Sequence, residues 1–182
     1  KAGDERGIEQ LAKKVSGLST SERAAIADGL YYPRTTSAVP LLQVLMQDVV
    51  PDIRKEAAER AFDSDGSPAL VEMALKQLEL PITKLKASEM YGYNLERAAT
   101  KKQSKRLIRA WSLRILKSGM SEEESKILAL IVMRHAMNFS DTKELEPFTK
   151  SSSQWLRRAA WYSLGKARSS WLSENVDLLA AD

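Results

Sequence analysis

The stretch AVPLLQVLMQDVVPDIRKEAAERAF, residues 38–62, constrains the fold of this chain more than any other. Val39, Leu41, Leu42 and Leu45 recur at helical spacing and form one apolar stripe. Asp48 to Pro51 breaks it. Pro51 and Asp52 suit the first turn of a second helix, where a missing N–H costs nothing and an acid meets the positive end of the dipole. Ile53, Ala57, Ala61 and Phe62 then share an inward face. The result is a pair of short amphipathic helices around a tight turn. Neither can bury its stripe alone, so the hairpin requires neighbours of its own kind.

The rest of the chain supplies them. Glu5 to Val15 reads as a helix with Ile8, Leu11, Ala12 and Val15 on one face, closed by Ser16-Gly17. Ser19-Thr20-Ser21-Glu22 fits a capping box for a helix reaching Tyr31, with Ala25, Ile26, Gly29 and Leu30 inward and Pro33 as the stop. Asp63 to Pro68 is a turn. Helices follow over Pro68–Leu78 (Leu70, Met73, Ala74 and Leu78 inward) and Pro81–Tyr93. Asn94 to Gln103 reads as either a loop or a short extra helix. Ser104 to Lys117 is a clear helix with Ile108, Trp111, Ile115 and Leu116 in its stripe. Ser121-Glu122-Glu123-Glu124 fits a second capping box, opening a helix to Met137 whose run Ile127–Met133 is apolar enough for burial on more than one side. Asp141 caps a short helix to Phe148. Gln154–Lys166 is a helix, and Trp171–Ala181 begins one more.

About eleven helices in five antiparallel pairs, with no alternating strand pattern, predict an all-α chain. A right-handed stack of helical pairs is the simplest arrangement with such short connections. At 182 residues the chain suits a single domain. It begins at Lys1 and ends on an apolar Leu178-Leu179-Ala180, which reads as a piece of a longer chain. No apolar run is long enough to span a bilayer. A soluble protein is expected, with the cytoplasm favoured and a removed export signal left open. The absence of cysteine excludes disulfides, thiolate metal sites and cysteine nucleophiles.

Two copies of one motif carry a family resemblance. Pro40 in the first helix, Asp48 in the turn, Ile53-Arg54 and then Ala57 resemble a HEAT repeat. Leu145, Pro147 and Phe148, followed by Leu156-Arg157 and Ala160, resemble a second, with Lys150 and Ser151–Ser153 where the first has its aspartate. The interval between the copies fits roughly three repeats. The resemblance implies an armadillo-like right-handed α-solenoid in which Asp48, Arg54 and Arg157 belong to a structural polar ladder. It further implies a non-catalytic scaffold that binds a protein partner. Some HEAT-like proteins are alkylated-base DNA glycosylases or bilin lyases, but their catalytic positions match nothing here residue by residue.

The charge pattern supports an alternative. The net charge of +4 is uneven: residues 1–91 carry 12 basic and 14 acidic side chains, residues 92–182 carry 16 and 10. No acid lies between Arg97 and Lys117. Lys101, Lys102, Lys105, Arg106 and Arg109 form one cationic stripe opposite Ile108, Trp111 and Ile115, suited to an anion, with Arg158 beside Arg157 as a further cation. Nucleic-acid phosphate is the alternative partner. As a surface stripe, Lys101, Lys105 and Arg109 are expected to tolerate reversal to glutamate with helicity intact. Trp155 and Trp171, at helix starts, are candidate exposed anchors. Asp63, Asp65 and Glu72 around Gly66 fit calcium-loop spacing, but its first ligand position falls on Ala61, which cannot coordinate. His135 is the sole histidine, without a partner pattern for catalysis or metal. No Gly-rich phosphate loop or GxSxG occurs. Neither a catalytic set nor a cofactor or metal site is assigned.

Overall fold

The computed structural model of the protein describes residues 2–30, 38–63, 67–79, 94–119 and 121–166. Every regular element among them is helical, with no strand. The chain divides into two compact units, Lys1–Leu107 and Ile108–Asp182.

The first unit contains α1 (Ala2–Lys14), a 3-10 turn (Val15–Gly17), α2 (Thr20–Gly29), α3 (Ala38–Leu45), α4 (Pro51–Asp63), α5 (Pro68–Gln77) and a helical stretch over residues 94–100, α6. The 94–103 segment is therefore helical over most of its length. The expected helix over Pro81–Tyr93 lies outside the described residues. Ser19 caps α2 as its spacing predicts: the Glu22 N–H donates to Ser19 Oγ, and the Ser19 N–H donates to Glu22 Oε2 at 2.8 Å. α2 turns a different face inward from the one expected. Ala27 is buried and Ile26 and Leu30 are half-buried, while Ala25 and Gly29 face solvent. Alanine and glycine carry too little apolar contrast to fix a helix's rotation from sequence.

α1 packs on α3, α2 on α4 and α3 on α5, and α4 packs on both α3 and α5. Leu41, Leu42, Leu45 and Met46 of the α3 segment meet Ile53, Ala57, Ala61 and Phe62 of α4 as buried core, with Leu70, Val71, Ala74 and Leu78 contributed from the α5 segment. Each large side chain in that set is worth about 1.5–3 kcal/mol on burial. The small residues Ala57, Ala58 and Ala61 let neighbouring helices approach α4 closely.

α7 (Lys102–Lys117) contains the division point. The second unit continues with α8 (Glu123–Ala136), a 3-10 turn (Phe139–Asp141), the one-turn α9 (Thr142–Leu145), a second 3-10 turn (Glu146–Lys150) and α10 (Gln154–Lys166). Ile108, Trp111, Ile115 and Leu116 are buried as expected. α8 buries Leu128, Ala129, Leu130, Val132 and Met133, with Ile127 and Ile131 half-buried, so its apolar run does serve more than one side. The second capping box does not form. α8 starts with Glu122 as a cap residue whose side chain bonds nothing at the helix end, and Glu123 Oε1 instead accepts from Ser153 Oγ at 2.5 Å. α10 packs along α8 and over the Glu146–Lys150 turn. At the heart of that contact the buried Ser163 hydroxyl donates to the Leu130 carbonyl. Ser163→Ala is expected to lower stability by about 1 kcal/mol in a urea titration, with far-UV CD unchanged.

Candidate functional site

The residues that sequence pattern singles out fall into three groups. The first is the turn motif. In the α3–α4 turn, Arg54 Nη1 donates to the carbonyls of Asp48 (2.7 Å) and Val49 (3.1 Å). The Val50 N–H donates to Asp48 Oδ1, and the Arg54 N–H to the Val50 carbonyl. Before α10 every one of these bonds recurs at the same positions. Arg157 Nη1 donates to the carbonyls of Ser151 (2.9 Å) and Ser152 (3.2 Å), the Ser153 N–H to Ser151 Oγ, and the Arg157 N–H to the Ser153 carbonyl. Ser151 thus does locally what Asp48 does. Asp48 adds a second task. Arg23 of α2 donates to it through Nε at 2.6 Å and Nη2 at 3.2 Å, and both side chains are nearly buried. Those hydrogen bonds from Arg23, opposed by burial, hold the Asp48 carboxyl below its usual range.

The second group is the basic run, which the fold breaks up. Arg97 pairs with the buried Asp63 at 2.6 Å, which accounts for the carboxylate at the edge of the calcium-like spacing. Lys101 Nζ donates to the Asp63 carbonyl at 3.3 Å. Arg109 is turned onto buried Asp141, through Nε at 2.6 Å and Nη2 at 2.5 Å. Burial works against the Asp141 charge, but the Arg109 hydrogen bonds, the Asn138 N–H at 2.8 Å and the charges of Arg109 and Lys117 outweigh it. The Asp141 carboxyl accordingly lies below its ordinary range. Lys117 meets Glu144 at 3.1 Å. What survives of the stripe is Lys102, Lys105 and Arg106, which form no ion pair among the described residues.

The third group is aromatic. Trp155 is 63% exposed, with the Arg158 guanidinium 5.7 Å from its ring centroid. Tyr162 is 45% exposed, and Arg134 of α8 lies 4.1 Å from its ring centroid. Trp111 and Trp161 are buried, and Trp171 lies outside the described residues. The Arg134–Tyr162 contact escapes sequence reasoning because its partners sit on different helices. Only the spacing of Trp155, Arg158 and Tyr162 along α10 could have suggested a shared face.

No family model matches this chain, and no curated protein matches it either.

Two further features complete the electrostatics. Arg60 pairs with Glu56 one turn earlier and reaches Asp28 of α2 at 3.4 Å. Beside it Glu59 is buried, and its Oε1 has no hydrogen-bond partner among the described residues. Burial and the neighbouring Glu56 charge push the Glu59 carboxyl up to about 7, against the weaker pull of Lys55 and Arg60. His135 is half-buried on α8. Among the described residues no helix is long and apolar enough to cross a membrane.

Proposed function

We propose that this chain is a non-catalytic protein-docking module, built as a right-handed, HEAT-like stack of antiparallel helix pairs. The observation that carries the reading is the packing of four helices on a next-but-one neighbour: α1 on α3, α2 on α4, α3 on α5, and separately α8 on α10. Stacked pairs pack in this way, and they leave long helix ridges as the available surface. The turn repeated at Asp48–Arg54 and Ser151–Arg157 supports the same reading. Ridges of this kind bind through spread contacts on a protein partner rather than through one deep cleft. The test is capture by the tagged full chain after nuclease treatment, followed by reconstitution with the purified captured protein. A 1:1 complex with a dissociation constant of about 1 μM or tighter is expected. Capture that vanishes on nuclease treatment overturns the reading.

One observation favours nucleic acid as a second reading. Lys102, Lys105 and Arg106 crowd the first turns of α7, which hold no acid and where the helix dipole repels cations. Local stability does not account for that placement. Three phosphate contacts would give a log–log salt slope of about −3 on duplex DNA. In anisotropy titrations, that slope and its loss in Lys102→Glu/Lys105→Glu/Arg106→Glu would put nucleic acid first. A flat response removes it, along with base processing on the same surface.

A further inference from the structure

The outer line of α10 differs from every other surface described above. Trp155, Arg158 and Tyr162 lie at i, i+3 and i+7 and are all exposed, a line of roughly 10 Å along the helix. The opposite face, Leu156, Ala159, Ala160, Ser163 and Leu164, is buried. Two large aromatics on one solvent-facing line are an exposed apolar patch in miniature. Each ring is backed by a guanidinium, Arg158 at Trp155 and Arg134 at Tyr162.

These two arginines also stand apart in their charge partners. Arg23, Arg60, Arg97 and Arg109 each meet a carboxylate. Arg134 and Arg158 meet none among the described residues, and Arg134 Nε is buried with no hydrogen-bond partner. α10 contains no acid of its own. The line therefore combines apolar rings with two cations that no carboxylate among the described residues neutralises.

We propose that this line docks an acidic amphipathic peptide segment of a protein partner, an inference that rests on the protein-docking reading above. A guanidinium over a ring face keeps its terminal Nη donors free for a carboxylate, as for Arg134 at 4.1 Å from the Tyr162 ring centroid, while Arg158 at 5.7 Å lies near Trp155 without stacking on it. The close contact with Tyr162 also fixes the Arg134 guanidinium beforehand, so little of its side-chain freedom is lost on binding. The exposed edges of Trp155 and Tyr162 then take the partner's apolar residues, as aromatic anchors do at interfaces. A partner helix with acids on one flank of its apolar face fits a line of this length. Base stacking suits it less, because Tyr162 already has a guanidinium against one face.

The test uses the full chain and a fluorescein-labelled peptide of about 14 residues with glutamates and leucines at helical spacing. The comparison probes are the same peptide with glutamine for glutamate and a single-stranded oligonucleotide of equal charge. The acidic peptide is expected to bind at least about tenfold more tightly than the glutamine peptide. Arg134→Gln/Arg158→Gln, and independently Trp155→Ser, should each weaken it by about tenfold or more. Trp155 is exposed, so its variant keeps the test valid should the arginine pair fail to fold. Equal binding by wild type and variants, equal binding of both peptides, or tighter oligonucleotide binding with the same variant sensitivity overturns the proposal. A captured partner that still binds the Arg134→Gln/Arg158→Gln chain would leave the docking reading standing and remove this site alone.

Discussion

Arg109→Glu is expected to destabilise the second unit by about 3–5 kcal/mol, enough to unfold it in a marginally stable protein. The residue looks like surface in the sequence, as one of a row of cations. In the fold it donates twice to Asp141, which is buried and further held by the Asn138 N–H. Reversal removes both donors and sets a second carboxylate against the first in a poorly solvated place. The three-residue reversal at Lys101, Lys105 and Arg109 should therefore fail through Arg109 alone, contrary to the sequence-based expectation. Lys105→Glu and Arg106→Glu should each change stability by no more than about 0.5 kcal/mol. Urea titrations of the three single variants check this. The pH dependence gives a second mark. Because the folded Asp141 carboxyl lies below its ordinary value of 3.8, its contribution is present above that value and is lost as pH falls through the lowered one. In the milder Arg109→Gln this acid limb should shrink, leaving the share held by the Asn138 N–H and Lys117.

Glu59→Gln is expected to stabilise the chain, and only on the alkaline side. In the folded state this carboxyl titrates at about 7 against an ordinary 4.5. The folded protein thus holds a proton that the unfolded chain has released between those two values. Stability falls as pH rises through that window, by about 3 kcal/mol in all, and is flat above it. Glutamine keeps the shape and hydrogen-bonding capacity of the protonated acid and never ionises. The variant should match wild type near pH 4.5 and exceed it by about 3 kcal/mol at pH 8. Urea titrations at the two pH values decide it. A gain of the same size at both would mean that packing, not charge, is responsible.

The elements of the fold were legible where local pattern suffices. The α3–α4 hairpin, the Ser19 capping box and the bounds of α10 follow from apolar spacing, Pro51 and a hydroxyl–carboxylate pair. Local pattern failed where a tertiary partner decided the outcome. At the start of α8 the cap position falls on Glu122 instead of Ser121, and Ser153, thirty residues along the chain, bonds the Glu123 carboxylate. Asp63, Asp141 and Glu144 meet Arg97, Arg109 and Lys117, although no acid interrupts the basic run in sequence. Counting charges along a segment cannot see an acid delivered by another helix. The division between the two units left no mark either, since Leu107 and Ile108 are adjacent apolar residues inside one helix. The aromatic line on α10 was half visible: Trp155 and Arg158 stand out in the sequence, whereas Tyr162 acquires its meaning only from Arg134.

The turn shared by Asp48–Arg54 and Ser151–Arg157 bears on how chains of this kind are recognised. Its first position accepts either a carboxylate or a hydroxyl, because both receive the same backbone N–H. The second position, Val49 in one copy and Ser152 in the other, is exposed in both and carries no side-chain duty in the turn. What stays constant is one guanidinium that closes two consecutive carbonyls from the next helix's first turn. In both copies one nitrogen, Nη1, makes both bonds, its two hydrogens held in the guanidinium plane, whereas a lysine ammonium turns freely on a flexible stem. A sequence pattern anchored on the aspartate would therefore pass over the second copy. One anchored on the arginine, with an apolar residue before it and alanine three positions later, would find both.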